Sequence, residues 1–255
     1  MKLARYGYKE KIYHGIVRGE IISVIDRPFH EDYKETGMKL DLAKVRLLPP
    51  VVPSKFVCVG QNYIEHIKEI KVPVPEKPIW FLKPTSSLIG PGDHIIYPGI
   101  ASRVDYEGEL AIVIKTTMKN VKREDALKYV QGYCCFNDVT ERKLSAANPF
   151  NLAMSKSFDT FAALGPWIET ELDPDHVQLK TYLNGKLMQD DNTSGCVFKT
   201  AYLLEYISHC LTLSPGDVVS TGTPVGIAAM NPGDVVEVEI EGVGKLTNTV
   251  EREKK

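Results

Sequence analysis

Glu107, Glu109 and Asp138 are the residues of this chain whose types and spacing point most directly to chemistry. In the run Asp105-Tyr106-Glu107-Gly108-Glu109-Leu110-Ala111-Ile112-Val113-Ile114, the two-residue period of a strand puts Asp105, Glu107 and Glu109 on one face, which continues as Ala111 and Val113. Acids that lead straight into an apolar run, 110–114, enter a core, and carboxylates entering a core need a compensating cation. Gly108 leaves room for another backbone or a ligand between the two glutamates. Asp138 follows a second buried-looking stretch, 132–136, and so falls at a strand end, where loops assemble sites. Three carboxylates and water make an all-oxygen set that suits Mg²⁺ or Mn²⁺, admits Ca²⁺ and disfavours zinc. The plainer reading of Glu-x-Glu is a strand end projecting into solvent; the third acid weighs against it.

His66 and Glu69 stand three residues apart, on one face of a helix predicted over 62–70. Such a pair can work as a dyad in which the carboxylate orients the imidazole and raises its basicity near neutral pH. An incidental surface pair is the competing reading. The five cysteines, Cys58, Cys134, Cys135, Cys196 and Cys210, contain no CxxC spacing, so neither a disulfide framework nor a thiolate zinc site is expected. A cysteine-dependent hydrolase has little support, because Cys134 and Cys135 sit within an apolar strand with no helix N-terminus to lower a thiol pKa.

The elements that must position these groups are mostly strands. With 255 residues, 43% of them hydrophobic, the chain can build one large core with a small appendage. Alternating stretches at 11–17 and 20–25 predict a small β-rich N-terminal domain, and Pro49, Pro50 and Pro53 make an extended linker, giving units of 1–53 and 54–255. Strands are predicted over 55–59, 79–82, 106–114, 132–136, 178–183, 218–220 and 235–240, and helices over 123–130 and 200–210. Pro-Gly-Asp occurs at 91–93, 215–217 and 232–234, each time before apolar β-formers, which marks three turns feeding strands. Asn184-Gly185 predicts a two-residue hairpin. The fold class is therefore mixed and mainly β, with a few packed helices.

Balanced charge, with 31 basic and 33 acidic residues and a formal net of -2, argues against nucleic-acid and membrane-surface binding and favours a small-molecule partner. No apolar run approaches the roughly 20 residues of a membrane span, and the polar start predicts a cytoplasmic protein.

The segments VGQNYIEHIKE (59–69), FLKPTSSL (81–88), VDYEGELAIVI (104–114), NDVTER (137–142), SKSFDTFAALGPW (155–167) and STGTPVGIA (220–228) resemble, in order, the fumarylacetoacetate hydrolase family. The resemblance covers roughly 54–250 and implies a β-sandwich roll, usually homodimeric, holding Mg²⁺ or Mn²⁺ through Glu107, Glu109 and Asp138. It also implies that the helix carrying His66 and Glu69 is a lid, that Lys156 and Arg142 hold substrate carboxylate or enolate charge, and that the Thr223 loop faces substrate. Lys83 and Asn62 are implied only to brace the surrounding loops. Two departures bear on selectivity: Ser145 stands where many similar members carry glutamine, and Gln61 where others often carry a basic residue.

The function implied is metal-dependent chemistry on small oxo- or dioxo-acids, by hydrolytic cleavage of an acylpyruvate-like C–C bond or by isomerisation of a hydroxymuconate- or heptadienedioate-type substrate. Oxaloacetate decarboxylation is the runner-up, with Ser145 weighing against it. A metal-stabilised binding protein without catalysis is the alternative from another class.

Overall fold

The computed structural model describes residues 1–148 and 151–254. A 12-stranded sheet forms its backbone, with ten strands in the spatial order Glu35–Asp41, Ile21–Ile25, Lys11–Arg18, Lys2–Tyr8, Ala162–Glu169, Val130–Asp138, Gly108–Ile114, Val218–Ser220, Phe56–Gly60 and Ile79–Lys83. The N-terminal strands do not make a sheet of their own. They extend the main one through antiparallel pairing of Leu3 with Ile168 and Lys2 with Glu169.

The run 110–114 is buried on both faces, as its unbroken apolar character requires. Leu110, Ile112 and Ile114 point into a core shared with Leu179, Val236, Val238, Ile240 and Leu246, on strands of a separate five-stranded sheet. Helix Thr200–Cys210 closes the same core through Leu203, Leu204 and Ile207. Ala111 and Val113 point the other way, to Phe56, Cys58, Cys134 and Phe136, over which the N-terminal residues Leu3, Ile16, Ile25 and Phe29 pack. This second face leads to the acidic residues: Glu109 is the cross-strand neighbour of Phe136, and Asp138 lies two residues further along the same face.

Helices are shorter than the sequence predicts. The expected 123–130 helix is a single turn, Arg123–Ala126, passing into a 3₁₀ turn at Leu127–Tyr129 before the Val130–Asp138 strand. The expected 62–70 helix is confined to Ile64–Glu69, because Tyr63 bridges to Cys196 and Asn62 is committed elsewhere. The Asn62 side chain donates to Phe198 O at 3.2 Å and Thr221 O at 2.8 Å and accepts from Phe198 N at 2.8 Å, binding the helix start to two distant loops. Asn184 and Gly185 have φ of 52° and 77° and join paired Leu183 and Lys186, the hairpin expected of that dipeptide.

The three Pro-Gly-Asp turns share one construction. Gly92, Gly216 and Gly233 have φ of 76°, 83° and 98°, and the following aspartate folds back onto the amide three residues earlier. Asp93 accepts from Gly90 N at 2.8 Å, Asp217 from Ser214 N at 2.7 Å and Asp234 from Asn231 N at 2.7 Å. Each second oxygen reaches another segment, but Asp217 alone is fully buried. It accepts from Ser54 Oγ at 2.6 Å, Ser54 N at 2.9 Å and Lys55 Nζ at 2.5 Å, clamping the starts of the parallel strands Phe56–Gly60 and Val218–Ser220. Asp217→Ala is therefore expected to cost about 3 kcal/mol, because it strands buried donors. Asp93→Ala, beside the exposed Arg46, should cost about 1 kcal/mol or less. Urea unfolding midpoints of the two variants measure this, and equal midpoints would refute the assignment.

Candidate metal centre

The acids sit where the chain passes from one sheet to another. Val104–Asp105 belongs to a three-stranded sheet with Thr140–Glu141 and Ala229–Met230, whereas the main-sheet strand begins at Gly108. The expected continuous strand over 106–114 is thus interrupted at Tyr106 and Glu107. Side chains take over the ladder there: Asn137 Oδ1 accepts from Glu107 N at 3.0 Å and Gln189 Oε1 from Gly108 N at 3.1 Å. A Cβ on residue 108 would lie 2.1 Å from Thr181 Oγ1, so only glycine fits. Asp105, expected on the glutamate face, instead engages Arg103 at 2.8 Å and Arg142 at 3.0 Å.

Glu107, Glu109 and Asp138 are all buried, and each offers a carboxylate oxygen within 4.8 Å of the others'. Four cations from separate segments surround this acidic group. Lys156 Nζ donates to Glu107 Oε2 and Asp138 Oδ2, both at 2.7 Å. Lys83 donates to Asp138 and, at 3.0 Å, to Val139 O. Arg142 joins Glu107 to Asp105, and Arg103 braces Asp105. Glu109 is treated differently: it accepts from Gly222 N at 3.1 Å and has no ion pair among the described residues.

Electrostatics follow this division. Burial would raise the Glu107 carboxyl, but the charges of Lys156 and Arg142 outweigh it and hold that carboxyl well below its usual range. Burial, reinforced by Asp138 and Glu107, pushes Glu109 well above the usual carboxylate range. Burial also opposes the charges on Lys156 and Arg142, yet the facing acids prevail and raise both pKa values. The donor set fits a hard divalent ion on two grounds: every candidate ligand is a carboxylate oxygen, and Glu109 is a buried acid with no ion-pair partner among the described residues.

A cavity of about 150 Å³ opens onto this centre and is lined by Gln61, His66, Glu107, Glu109, Asp138, Arg142, Ser145, Lys156 and Thr223 among others. Every residue singled out from the sequence as catalytic, substrate-binding or metal-ligating lines it except Glu69. Glu69 stands behind His66, accepting or sharing a proton at Nδ1 across 2.8 Å, while its other oxygen accepts from Gly226 N at 3.2 Å. Helix Arg142–Ala147 begins only after the strand Thr140–Glu141, so no helical turn links Asp138 to Arg142; the Arg142 side chain goes to Glu107 and Asp105, and the Ser145 hydroxyl donates to Arg142 O at 3.0 Å. Thr223 Oγ1 donates to Gly108 O at 2.9 Å.

Lys83 does more than brace a loop, since it pairs directly with Asp138. Its signal was a lone lysine ending an otherwise apolar strand, Ile79–Lys83. Gln189, which reaches from the five-stranded sheet to Thr223 Oγ1 at 2.9 Å and Pro224 O at 2.8 Å, carries no sequence signal. The thiols stay out of the chemistry: burial pushes Cys135 and Cys196 up to about 12 and raises Cys58 and Cys134 as well.

A mainly β fold with an acidic, cation-braced pocket defines the class of this protein. Residues 55–251 match the family model for the fumarylacetoacetate (FAA) hydrolase C-terminal domain, and residues 1–50 match a model described as Rv2993c-like, N-terminal. The chain belongs to the fumarylacetoacetate hydrolase family and is an enzyme of its hydrolase and isomerase kind. It is similar to the crystal structure of 5-carboxymethyl-2-hydroxymuconate delta-isomerase from Mycobacterium smegmatis, with TM-score 0.93 and 38% identity, covering 99% of this chain and 100% of that one. Similarity extends to maleylpyruvate hydrolase from Sphingobium sp. SYK-6 in complex with manganese (II) ion and pyruvate, with TM-score 0.83 and 29% identity over 100% of both chains. Human oxaloacetate tautomerase FAHD2B, mitochondrial, is 40% identical over 83% of this chain and 71% of its own length. Among the described residues, no helix is long and apolar enough to cross a membrane.

If Glu109 is the ligand without a resident counter-charge, Glu109→Gln should leave the metal-free protein as stable as the parent or more so. Mn²⁺ at about 100 times its Kd should stabilise the parent by about 2.7 kcal/mol, visible as a raised melting temperature, and leave the variant unmoved. An equal Mn²⁺ shift in the variant would remove Glu109 from the ligand set.

Proposed function

We propose that this chain is a divalent-metal-dependent enzyme for small 2-oxo acids. It cleaves an acylpyruvate-like C–C bond with water or relocates a proton in a hydroxymuconate- or heptadienedioate-type substrate. The observation that carries this reading is that His66, backed by Glu69, and a three-carboxylate cluster face one cavity. Mg²⁺ or Mn²⁺ is the ion proposed for Glu107, Glu109 and Asp138, and the manganese and pyruvate of the maleylpyruvate hydrolase complex support it. Such an ion, when bound, supplies Lewis-acid stabilisation of negative charge on the oxo oxygen.

The chain's own groups account for the rest. His66 is held at Nδ1 by Glu69, which leaves Nε2 as the ring nitrogen for proton transfer in the cavity. In hydrolysis it takes a proton from water as the oxygen adds to the distal carbonyl carbon. The C–C bond breaks, its electron pair passes toward the oxo oxygen, and the proton returns to carbon. In isomerisation the same base carries a proton between the enol oxygen of a 2-hydroxydiene and a chain carbon, the double bonds shifting to leave the 2-oxo form. Lys156 and Arg142 stabilise the carboxylate and the charge that develops beside it, being cationic and fixed before substrate arrives. Thr223 and Gln61 border the substrate's path and orient it. Every residue given a role lies within 54–255, so the unit 1–53 is assigned to scaffold.

A second reading, oxaloacetate tautomerisation, is favoured by the human relative's name and requires only the proton relocation step. All these readings need His66. His66→Ala should lower kcat by about 10²–10⁴ while preserving the Mn²⁺ thermal shift, and Glu69→Gln should cause a smaller loss. Turnover of a panel of acylpyruvates, dienedioates and oxaloacetate, with and without chelator, measures this. Undiminished kcat in His66→Ala would exclude the dyad from the chemistry.

A further inference from the structure

The walls of the cavity carry information about the far end of the substrate, beyond the oxo-acid head. Along strand Ile79–Lys83, side chains alternate, so Lys83, Phe81 and Ile79 share one face and step outward by about 7 Å for every two residues. Lys83 marks the metal end, where it pairs with Asp138. Phe81 comes next, its ring centroid 5.1 Å from Lys156 Nζ. Ile79 then borders the mouth, 42% exposed. Ile70, at the end of helix Ile64–Glu69, and Leu152 also line the cavity.

Charge is distributed in the opposite sense. Among the described residues lining the cavity, the permanent cations are Arg142 and Lys156, and both are already tied to the acids at the inner end. The polar lining residues Gln61 and Ser145 are neutral, and the Ser145 hydroxyl is spent on Arg142 O at 3.0 Å. A second carboxylate brought past Phe81 would lose water without gaining a cation, whereas a methyl or alkyl end would gain contact there.

Resting on the oxo-acid reading above, we propose that the preferred substrates are monocarboxylic 2-oxo acids of the acylpyruvate type with an apolar far end. Phe81, Ile79, Ile70 and Leu152 select them over dicarboxylates of equal length.

Paired probes separate this from the parent reading. 2-Oxohexanoate and 2-oxoadipate share the oxo-acid head and chain length and differ only in ending as methyl or carboxylate. Calorimetry on the Mn²⁺-loaded protein should show 2-oxohexanoate binding about tenfold more tightly or better. In Ile79→Lys, at an exposed edge-strand position that tolerates the change, the preference should narrow or reverse. The kcat/KM for acylpyruvates with alkyl ends should likewise exceed that for dioxo-dioates. Equal or tighter binding of 2-oxoadipate by the parent protein overturns the selectivity proposal and leaves the oxo-acid reading intact. Binding of neither probe overturns both.

Discussion

Much of this structure depends on one electrostatic constraint: buried carboxylates at the seam between two sheets must be matched by cations delivered from elsewhere in the chain. Lys83, Arg142 and Lys156 come from a strand and two short helices that are distant in sequence, and each pairs with the same acidic cluster. Unpaired, such acids would be costly to bury; paired, they fix where three elements end. Each cation also brings its neighbours by local periodicity. Lys83 carries Phe81 and Ile79 through the strand repeat of two, Lys156 carries Leu152 one helical turn away, and Arg142 carries Ser145. The same ion pairs that compensate the acids therefore also place the residues that give the pocket its shape.

That compensation is uneven across the three acids. Glu107 lies between Lys156 and Arg142 and is held ionised, whereas Glu109 has no ion pair among the described residues, accepts from the Gly222 amide and is pushed up by burial and two like charges. A fully matched cluster would be an inert ion-pair network. Lys156 tempers the site in the other direction, because a fixed ammonium against two of the three ligands repels an incoming cation.

The inner end of the site is legible in the sequence because two local rules coincide there. Acids at period two running into 110–114 announce a buried strand end, and the order of six segments brings in Asp138, Arg142 and Lys156. What periodicity does not reveal is that the strand breaks at Tyr106 and Glu107, since Asn137 and Gln189 hold the amides that a neighbouring strand would otherwise take. Asp105 obeys the same period as the glutamates but belongs to another sheet and serves Arg142. Of the N-terminal strands, Lys11–Arg18 and Ile21–Ile25 are legible from alternation, whereas Lys2–Tyr8, which joins the main sheet through Leu3 and Ile168, is not. Local pattern indicates which residues are extended; it carries little information about which partner they choose.

The loop 221–226 shows how far a site can exceed its motif. In the sequence, Thr221-Gly222-Thr223-Pro224 reads as a turn after a short strand, and the family resemblance adds only that the Thr223 loop faces substrate. In the folded chain, Thr221 O binds Asn62, Gly222 N binds Glu109, Thr223 bridges Gly108 O and Gln189, and Gly226 N binds Glu69. Gly226 also accepts from Tyr106 OH at 2.7 Å, and a Cβ there would lie 2.2 Å from Met188 O. Six residues thus touch a metal ligand, the orienting partner of the histidine and the anchor of the helix that carries both dyad members. Glu109, Glu69 and the start of the helix that carries His66 therefore rest on one short segment, so the inner acids and the histidine are positioned together.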